Sequence, residues 1–172
     1  MAHREPLFYD TFDSPFGPIR VAADETGLRR VIFLKGKRRV LQQRGWVLEP
    51  GRLASAREQL EAYFAGRLRI FDLPLAPKGT RFQERVWKAL LNVPYGATAS
   101  YGEIAAALGN PKASRAVGLA NGKNPIAIII PCHRIIGANG HLTGYGSGLK
   151  IKAGLLRLEG HHIERDRCVA RF

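Results

Sequence analysis

A stretch with two prolines and a glycine, RIFDLPLAPKGT at residues 69–80, separates two halves of the chain whose sequence patterns differ. Short apolar segments interrupted by turn residues precede it, a pattern typical of β-strands. Longer segments with apolar residues three and four positions apart follow it, a pattern typical of amphipathic helices. The sequence therefore predicts an α+β protein with a small sheet-and-helix domain and linker over residues 1–78 and a mainly helical domain over residues 79–172.

The first half is predicted to hold a hairpin and a helix. IRVAADETGLRRVIFL, residues 19–34, predicts two strands around an Asp-Glu-Thr-Gly turn. RLASAREQLEAYFAG, residues 52–66, predicts a helix that ends at Gly66. The apolar face of that helix comprises Leu53, Ala56, Leu60, Tyr63 and Phe64.

The second half is predicted to begin and end with amphipathic helices. TRFQERVWKALLNV, residues 80–93, has Thr80 as a candidate N-cap. Its apolar face comprises Phe82, Val86, Trp87, Leu90 and Leu91. LKIKAGLLRLEG, residues 149–160, predicts the last helix, with Leu149, Ala153, Leu156 and Leu158 facing inward.

Two short helices between them form a helix-turn-helix candidate. SYGEIAAALGN, residues 100–110, opens with the capping-box pair Ser100 and Glu103. PKASRAVGLANGK, residues 111–123, follows after a tight turn, with its proline suited to the first helical turn and two basic residues, Lys112 and Arg115, on the helix. Most helix pairs of this size do not bind DNA, so the pattern alone does not decide a function.

The charge balance favours a polyanionic partner. The chain has 27 Lys and Arg against 14 Asp and Glu, a net charge of +13. Residues 81–160 hold 10 basic and 3 acidic residues, so their basic side chains have few local partners. This distribution favours contact with phosphates, although a basic chain can also be basic for solubility alone.

The composition predicts a cytosolic protein, associated with the nucleoid if its partner is DNA. The longest apolar run, Ile126–Ile130, is too short to span a bilayer, and the charged N-terminal residues lack a signal-peptide core. A reducing compartment argues against a disulfide between Cys132 and Cys168, and Cys168 is interpreted as an incidental surface thiol. No pair of Cys or His residues has zinc-finger spacing, so no metal is expected.

Cys132 is the candidate nucleophile. IAIIIP, residues 126–131, predicts a buried strand or extended segment that delivers this cysteine to a turn. Most isolated cysteines are small buried hydrophobes, but a nucleophile needs a nearby base to form its thiolate, and His133 is adjacent. Adjacent side chains of an extended chain point in opposite directions, so either a turn or a bridging water must connect the two. Arg134 could add positive potential for the thiolate or hold the turn by bonding to carbonyls, and the structural role is favoured.

A third group is expected to orient the histidine. The acids available between residues 81 and 160 are Glu84, Glu103 and Glu159. Glu103 is explained by the capping box, and Glu159 follows the glycine-rich loop at the end of the last predicted helix. Glu159 is therefore the expected orienting carboxylate.

These segments resemble a known family. PCHRII, preceded by SYGEIAAALGNPKASRAVGLANGKNP and followed by GHLTGYGSGLKIKAGLLRLEG, is similar to the O6-alkylguanine-DNA alkyltransferases, or methylated-DNA–protein-cysteine methyltransferases. The likeness extends from about Thr80 to Gly160, and the first 75 residues resemble the stand-alone bacterial type more loosely. The resemblance implies a DNA repair protein that rotates the alkylated guanine out of the duplex, transfers the alkyl group irreversibly to its cysteine and acts once, without a cofactor. O4-alkylthymine is included as a further expected substrate.

The resemblance also implies residue roles. Cys132 would accept the alkyl group, His133 would take its proton through a water, and Glu159 would orient His133. Asn124 would brace the cysteine segment against the helix pair, and Tyr101 would donate a hydrogen bond to guanine N3. The pocket would comprise Tyr145, Gly146, Ser147 and Ile135, with Tyr145 as wall and lid. The DNA contacts would be Arg115, Ser114, Ala116, Gly118 and Lys112, with Arg115 filling the gap left by the rotated base. The small residues Ala116, Gly118 and Ala120 would permit close approach to the minor groove.

Departures from the family pattern and alternative functions remain. Some members bind zinc through N-terminal cysteines and histidines, whereas this N-terminal half has only His3. Ser147 and Ile135 replace the more usual glycine and valine, which bears on the size of alkyl group accepted. The alternatives are a non-catalytic module that binds alkylated DNA and recruits repair factors, which would lack the cysteine, and a cysteine hydrolase, for which no oxyanion hole is evident. A monomer is expected, and clustering along DNA is left open.

Overall fold

The computed structural model describes residues 6–35 and 44–169, and the chain divides into two compact units, Met1–Lys78 and Gly79–Phe172. The first unit is built from a sheet and a helix, and the second mainly from helices with short strands, so the α+β prediction is confirmed. Within the described ranges, no helix combines the length and apolar character needed to cross a membrane. The functional roles assigned to the two halves stay predictions.

The first unit contains a four-stranded sheet in the order β3-β2-β1-β4. Its strands are β1 (Phe8–Ser14), β2 (Gly17–Asp24), β3 (Gly27–Phe33) and β4 (Val47–Leu48). β1, β2 and β3 pair antiparallel in sequence, and β4 pairs parallel with β1. The hairpin predicted around the Asp-Glu-Thr-Gly turn is therefore present as β2 and β3.

The Pro-rich segment that follows the first unit's helix packs along the start of β3. Leu28 N donates to Pro74 O at 2.8 Å, and Ala76 N donates to Leu28 O at 2.9 Å. Gly27 has φ +143°, and a Cβ there would lie 2.7 Å from Pro74 O. Glycine is required at this position because both the backbone conformation and the close approach exclude a side chain. The predicted linker is thus held to the sheet by backbone hydrogen bonds.

Helix α1 (Ala54–Phe64) covers the sheet of the first unit. A 3₁₀ turn, Pro50–Leu53, leads into it, and Gly66 follows its end with φ +73°. The residues predicted for its apolar face that are buried are Leu53, Ala56, Leu60 and Tyr63. Phe64 is only half-buried and packs against Phe16, with ring centroids 6.0 Å apart.

Helix α2 (Arg81–Leu90) opens the second unit. Thr80 is its N-cap as predicted, and Gln83 completes a capping box with it. The buried residues are Val86, Trp87 and Leu90, whereas Phe82 is half-buried. The prediction for Leu91 is wrong: this residue follows the last helical residue and is 46% exposed.

The two helices of the helix-turn-helix candidate are α3 (Tyr101–Ala107) and α4 (Ser114–Gly122). Ser100 caps α3, and the predicted capping box with Glu103 is present, with Glu103 N donating to Ser100 Oγ at 3.1 Å and Ser100 N donating to Glu103 Oε2 at 2.6 Å. α3 and α4 pack against each other and against α2.

The second of these helices begins later than predicted. Pro111 and Lys112 form the turn between the helices, and Ala113 is the N-cap of α4. Asn110 O accepts a hydrogen bond from Ala113 N at 3.0 Å, which closes this turn before the helix starts. The placement of Pro111 in the first helical turn, and of Lys112 on the helix, is therefore wrong.

The rest of the second unit packs around helix α5 (Leu149–Leu158). Short strands β5 (Ala99–Ser100) and β6 (Ile135–Ile136) pair in parallel, and β7 (His162–Glu164) and β8 (Arg167–Val169) form a hairpin. The apolar cluster joining them comprises Ile136, Leu142, Ala153, Leu156 and Ile163. Of the residues predicted to face inward on α5, Ala153 and Leu156 are buried, and Leu149 and Leu158 are half-buried.

Candidate active site

The segment before Cys132 is folded around the side chain of Asn124. Its Oδ1 accepts from Ile126 N at 3.0 Å, and its Nδ2 donates to Ile126 O at 3.3 Å and to Ile130 O at 2.8 Å. Residues 127–130 form turns, and Ile128 has φ 71°. The predicted strand is therefore wrong, although the segment is buried as expected. One amide side chain replaces the strand ladder as the hydrogen-bonding partner of this backbone.

Cys132 begins a single 3₁₀ turn, Cys132–Arg134, and is 5% exposed. Burial raises the pKa of its thiol above the ordinary value of 9.0. Hydrogen bonding from Asn124, the positive charge of Lys152 and hydrogen bonding from Tyr145 act in the opposite direction on the same pKa. The site thus surrounds a buried thiol with groups that favour its thiolate.

The two residues that follow Cys132 in the chain, His133 and Arg134, form a buried cluster with Glu159. His133 Nε2 lies 2.8 Å from Glu159 Oε1, and Arg134 Nε and Nη2 donate to the two oxygens of the same carboxylate at 2.9 Å each. Arg134 also donates to Val93 O at 2.7 Å, the type of carbonyl contact predicted for it. The 3₁₀ turn brings two consecutive side chains onto one carboxylate at the end of α5, a pairing that an extended segment would not give.

The protonation of this cluster follows from burial and charge. Burial acts to raise the pKa of Glu159, but hydrogen bonds and attraction from His133 and Arg134 outweigh it and lower that pKa from 4.5 to about 2. Burial lowers the pKa of His133 below 6.5, and Glu159 only partly offsets this. At pH 7 Glu159 is therefore ionised and His133 neutral.

The tautomer of His133 follows as well. An ionised carboxylate only accepts hydrogen bonds, so Nε2 of His133 carries the proton that faces Glu159. Nδ1 then has the free lone pair. Nδ1 is buried and has no hydrogen-bond partner among the described residues. The available base of this imidazole is thus its Nδ1.

Tyr101 and Thr143 are linked by their side chains. Tyr101 Oη donates to Thr143 O at 3.3 Å, and Thr143 Oγ1 donates to Tyr101 Oη at 3.0 Å. Tyr101 is half-buried at the first position of α3. A Cβ on Gly118 of α4 would lie 3.7 Å from the Tyr101 ring, so these two residues are close neighbours.

The remaining residues of the predicted pocket differ in exposure. Tyr145 and Ser147 are half-buried and Gly146 is exposed in the loop before α5, whereas Ile135 is fully buried in β6. Tyr145 is brought to Cys132, as its effect on the thiol pKa indicates. Gly146 and Ser147 have no described bond to Cys132 or His133.

The predicted DNA contacts lie on α4 and the turn before it. Arg115, Ala116 and Lys112 are exposed, and Ser114 and Gly118 are half-buried. Ala120, named with the small residues expected to face DNA, is buried, and its carbonyl accepts from Trp87 Nε1 at 2.8 Å. That residue belongs to the packing between α2 and α4, so this part of the expectation is wrong.

Two buried residues of the site, Asn121 and Lys152, were not predicted from the sequence. Asn121 Nδ2 donates to Cys132 O at 3.4 Å. Lys152 is completely buried, and its Nζ donates to Ile135 O and to Thr143 O. A usable signal existed for Lys152, because it lies four residues before Leu156 and three before Leu155 and so falls on the inward face of α5.

The described residues form neither a disulfide nor a cluster of metal ligands. Cys168 is half-buried on β8, with Sγ 3.6 Å from His161 Nδ1, and no disulfide joins it to Cys132. Over residues 6–35 and 44–169, no group of three or more His, Cys, Asp or Glu side chains is placed to hold a metal ion. His3 lies outside these ranges.

Comparisons with known proteins identify the family of this chain. The family model for the DNA-binding domain of 6-O-methylguanine DNA methyltransferase matches residues 81–161, and the model for the ribonuclease-like domain of the same family matches residues 7–77. The methylated-DNA–protein-cysteine methyltransferase of Methanosarcina acetivorans is 60% identical over 154 residues, covering 90% of this chain and 99% of that protein. The Mycobacterium tuberculosis protein of the same name is 54% identical over 160 residues, covering 93% of this chain and 96% of that protein.

A solved structure gives the same result at the level of the fold. The crystal structure of Mycobacterium tuberculosis OGT in complex with DNA matches this chain with a TM-score of 0.83 and 54% sequence identity, covering 88% of this chain and 92% of that one. Both family models together account for most of the chain, and the relatives are aligned over nearly their full length. The chain belongs to the 6-O-methylguanine DNA methyltransferase family.

Proposed function

We propose that this protein repairs DNA by transferring the alkyl group of O6-alkylguanine directly and irreversibly to Cys132. Transfer of a methyl group from methylated DNA to a protein cysteine is the activity for which the relatives are named. The observation that carries the proposal is the buried Cys132 thiol next to His133, whose other ring nitrogen is bonded to the ionised Glu159. A thiol, a base and an orienting carboxylate are the parts needed to generate a nucleophile.

The reaction is a displacement at the alkyl carbon. The thiol proton passes through a water to Nδ1 of His133, and Glu159 stabilises the resulting imidazolium. The Cys132 Sγ–C bond forms while the C–O6 bond breaks, and the electron pair of that bond moves to guanine. The His133 imidazolium then returns that proton through water to the purine ring, so that the products are S-alkylcysteine and neutral guanine, and His133 is neutral again. A hydrogen bond from Tyr101 Oη to guanine N3 stabilises the departing base.

Histidine suits this role because its environment keeps it neutral until the transfer. Burial lowers the pKa of His133, so the lone pair on Nδ1 is available at pH 7. Glu159 raises the same pKa, which limits the cost of forming the imidazolium. Arg134 bonds to both oxygens of Glu159 and fixes the carboxylate against the imidazole.

Access to the base requires DNA binding and rotation of the lesion out of the stack. The α3–turn–α4 pair presents Lys112, Arg115 and Ala116 on its exposed side. Rotation costs a few kcal/mol, and less for a lesion that pairs badly. Arg115 offsets part of this by occupying the gap, and the small Ala116 and Gly118 allow α4 to enter the minor groove. The minor groove carries little sequence information, which suits a protein that searches for lesions.

Transfer of label tests the proposal. Incubation with duplex DNA carrying O6-[methyl-³H]methylguanine should move the label onto Cys132, located by peptide mapping. The Cys132→Ala variant should leave the label on the DNA, whereas Cys168→Ala should retain full transfer. Transfer that survives in Cys132→Ala would contradict the assignment.

The stoichiometry separates this reaction from hydrolysis. Because a thioether is not hydrolysed at neutral pH, transfer should stop at about one methyl group per protein. Continued turnover would indicate a hydrolase instead. Binding of the lesion with no loss of label would indicate the non-catalytic module, which the presence of Cys132 disfavours.

The same proposal covers substrate range, assembly and location. We expect O4-alkylthymine in DNA to be a slower substrate of the same cysteine, and the protein to act as a monomer at the nucleoid. Competition between the two lesions for a limiting amount of protein measures their relative rates of repair. Sedimentation with and without DNA measures whether the protein is a monomer and whether it clusters along the duplex. Full label transfer from O6-methylguanine with none from O4-methylthymine would reject O4-alkylthymine as a substrate and leave the main proposal unchanged.

A further inference from the structure

Lys152 is a buried cation for which the mechanism above has no use. Its side chain is completely buried in α5. Nζ donates to Ile135 O and, at 2.8 Å, to Thr143 O. Within the described residues it forms no ion pair with a carboxylate. Placing an ammonium group in a protein interior against two neutral acceptors is unfavourable unless another negative charge compensates it.

The two carbonyls that Lys152 binds lie on segments that contribute residues to the site. Ile135 directly follows the 3₁₀ turn that carries Cys132, and Thr143 precedes Tyr145 by two residues. The Thr143 carbonyl also accepts from Tyr101 Oη. One ammonium group therefore connects the cysteine turn, the loop of Tyr145 and the hydroxyl of Tyr101.

The anion that can compensate this charge is the thiolate of Cys132. The two groups attract each other: the charge of Lys152 lowers the pKa of the thiol, and Cys132 raises the pKa of the ammonium. Burial outweighs that attraction on the lysine and lowers its pKa from 10.5 to about 8. The other titratable or charged groups around this pair are His133, Arg134, Glu159, Tyr101 and Tyr145. Helix α5 also carries Lys150 and Arg157, which are exposed.

We propose that Lys152 is a positioning residue for alkyl transfer, which holds the Ile135 and Thr143 carbonyls in place and supplies the positive charge that stabilises the Cys132 thiolate. This inference rests on the proposed function, since it assigns Lys152 a part in the same reaction. Arg134 does not supply this charge, because its guanidinium is compensated by the Glu159 carboxylate, to which it donates two hydrogen bonds. His133 cannot supply it before the thiol proton has left, because burial keeps its imidazole neutral.

The first test measures the thiol directly and needs no DNA. The rate of iodoacetamide modification is followed from pH 6 to pH 10 in a Cys168→Ser background, so that Cys132 is the thiol measured. Lys152→Met removes the charge and keeps the length, whereas Lys152→Arg keeps the charge. Lys150→Met, an exposed lysine on the same helix, is the matched control.

Lys152→Met should raise the pKa of Cys132 by about one unit, which lowers the rate at pH 7 about tenfold. The difference should disappear at high pH, where the thiolate forms in both proteins and the native lysine loses its own proton. Lys152→Arg should recover part of the lost rate, and Lys150→Met should match the parent. A uniform loss at every pH, with no change in the pKa of the thiol, would mean that Lys152 only supports packing and would overturn the proposal.

A second test keeps the native lysine, so it does not depend on whether Lys152→Met folds. The titration of Lys152 is followed by the ¹³Cε chemical shift of labelled lysine, before and after S-methylation of Cys132 with iodomethane. The methylated sulfur cannot ionise, so the pKa of Lys152 should fall after modification. An unchanged pKa would overturn the proposal.

The two proposals can fail separately. Iodoacetamide and iodomethane react with a thiol whether or not the protein repairs DNA. Coupling between Lys152 and Cys132 without transfer of label from O6-methylguanine would reject the proposed function and keep the lysine assignment. Transfer of label from O6-methylguanine without coupling between Lys152 and Cys132 would reject the lysine assignment and keep the proposed function.

Discussion

Glu159 is the residue on which the charge balance of the site depends, because it accepts hydrogen bonds from both His133 and Arg134. Replacing it by Gln keeps the shape but leaves the buried Arg134 guanidinium without an anion. Breaking a buried pair in this way costs about 3–5 kcal/mol. We expect Glu159→Gln to lower the free energy of unfolding in urea by about 3 kcal/mol, with slower alkyl transfer in the fraction that folds. Glu164→Gln, in an exposed pair with His162, should change stability by less than about 0.5 kcal/mol.

The same carboxylate predicts how stability depends on pH. The pKa of Glu159 in the folded protein is about 2, against an ordinary 4.5, so the unfolded chain binds more protons as pH falls below about 5. The stabilisation is present above pH 4.5 and is lost as pH approaches 2, a change of about 3 kcal/mol by linkage. His133, whose pKa is also lowered, acts in the same direction from about pH 6.5 downward. Urea unfolding at steps of pH measures the loss, and a flat profile in the native protein would contradict it.

At this scale the sequence predicted the contact between His133 and Glu159, but not the other contacts around Cys132. Cys132, His133 and Glu159 could be found because a Cys-His pair is rare and few acids lie in the second half of the chain. Arg134 was assigned to carbonyls, and its bonds to Glu159 were not foreseen, because a long side chain can reach partners in several directions. Lys152 was missed because a lysine is ordinarily exposed, and only tertiary packing shows that this one is buried.

Among the elements, α3 is the helix whose start has the most specific physical signal in the sequence, the capping box of Ser100 and Glu103. Ser100 accepts from Glu103 N and directly precedes Tyr101, so the cap also fixes the base of that tyrosine. Ser100→Ala should cost about 1 kcal/mol of unfolding free energy. Ser114→Ala is the matched control, because Ser114 lies inside the first turn of α4 and forms no cap. Equal losses in thermal or urea unfolding would show that the cap contributes nothing specific.

Arg115 on helix α4 allows rotation of the lesion out of the duplex to be tested separately from alkyl transfer. Arg115 is exposed on this helix, whereas Cys132 is buried. Arg115→Ala should slow transfer from O6-methylguanine in duplex DNA at least tenfold, while reaction with the free base changes less than twofold, since a base already outside the duplex needs no replacement in the stack. Arg115→Lys keeps the charge, and Lys88→Ala removes one exposed charge from α2 as a control. Equal losses with both substrates would mean that Arg115 does not occupy the gap.

The segment before Cys132 shows where element prediction reaches its limit. IAIIIP has the composition of a buried strand, and burial was predicted correctly. The side chain of Asn124 supplies the hydrogen bonds that a neighbouring strand would otherwise give, so the backbone turns instead of pairing. Composition reports burial and does not report which partner satisfies the backbone. The late start of α4 has a similar cause, since the hydrogen bond from Ala113 to Asn110 closes a turn that periodicity does not reveal.

For the whole molecule, the distribution of charge matters more than its total. In the first unit, arginines form ion pairs: Arg29 with Asp24, Arg52 with Glu25 and Arg57 with Glu61. In the described part of the second unit, ion pairs involve Arg134 and two histidines. The exposed lysines and arginines in that part form no ion pair with a carboxylate, in keeping with the scarcity of acids, and we expect them to contact phosphates.

That availability predicts a strong dependence of DNA binding on salt. Each phosphate contact releases counterions and contributes about −0.9 to the slope of log affinity against log salt concentration. Lys112 and Lys123 are exposed at the two ends of α4, so Lys112→Ala and Lys123→Ala should each make the slope shallower by about one, with unmodified and alkylated duplexes affected alike. Arg67→Ala, an exposed arginine of the first unit, removes the same charge and should leave the slope unchanged. Fluorescence anisotropy over a salt series measures these slopes. If the slope became shallower by the same amount in all three variants, binding would depend on net charge and not on contacts around α4.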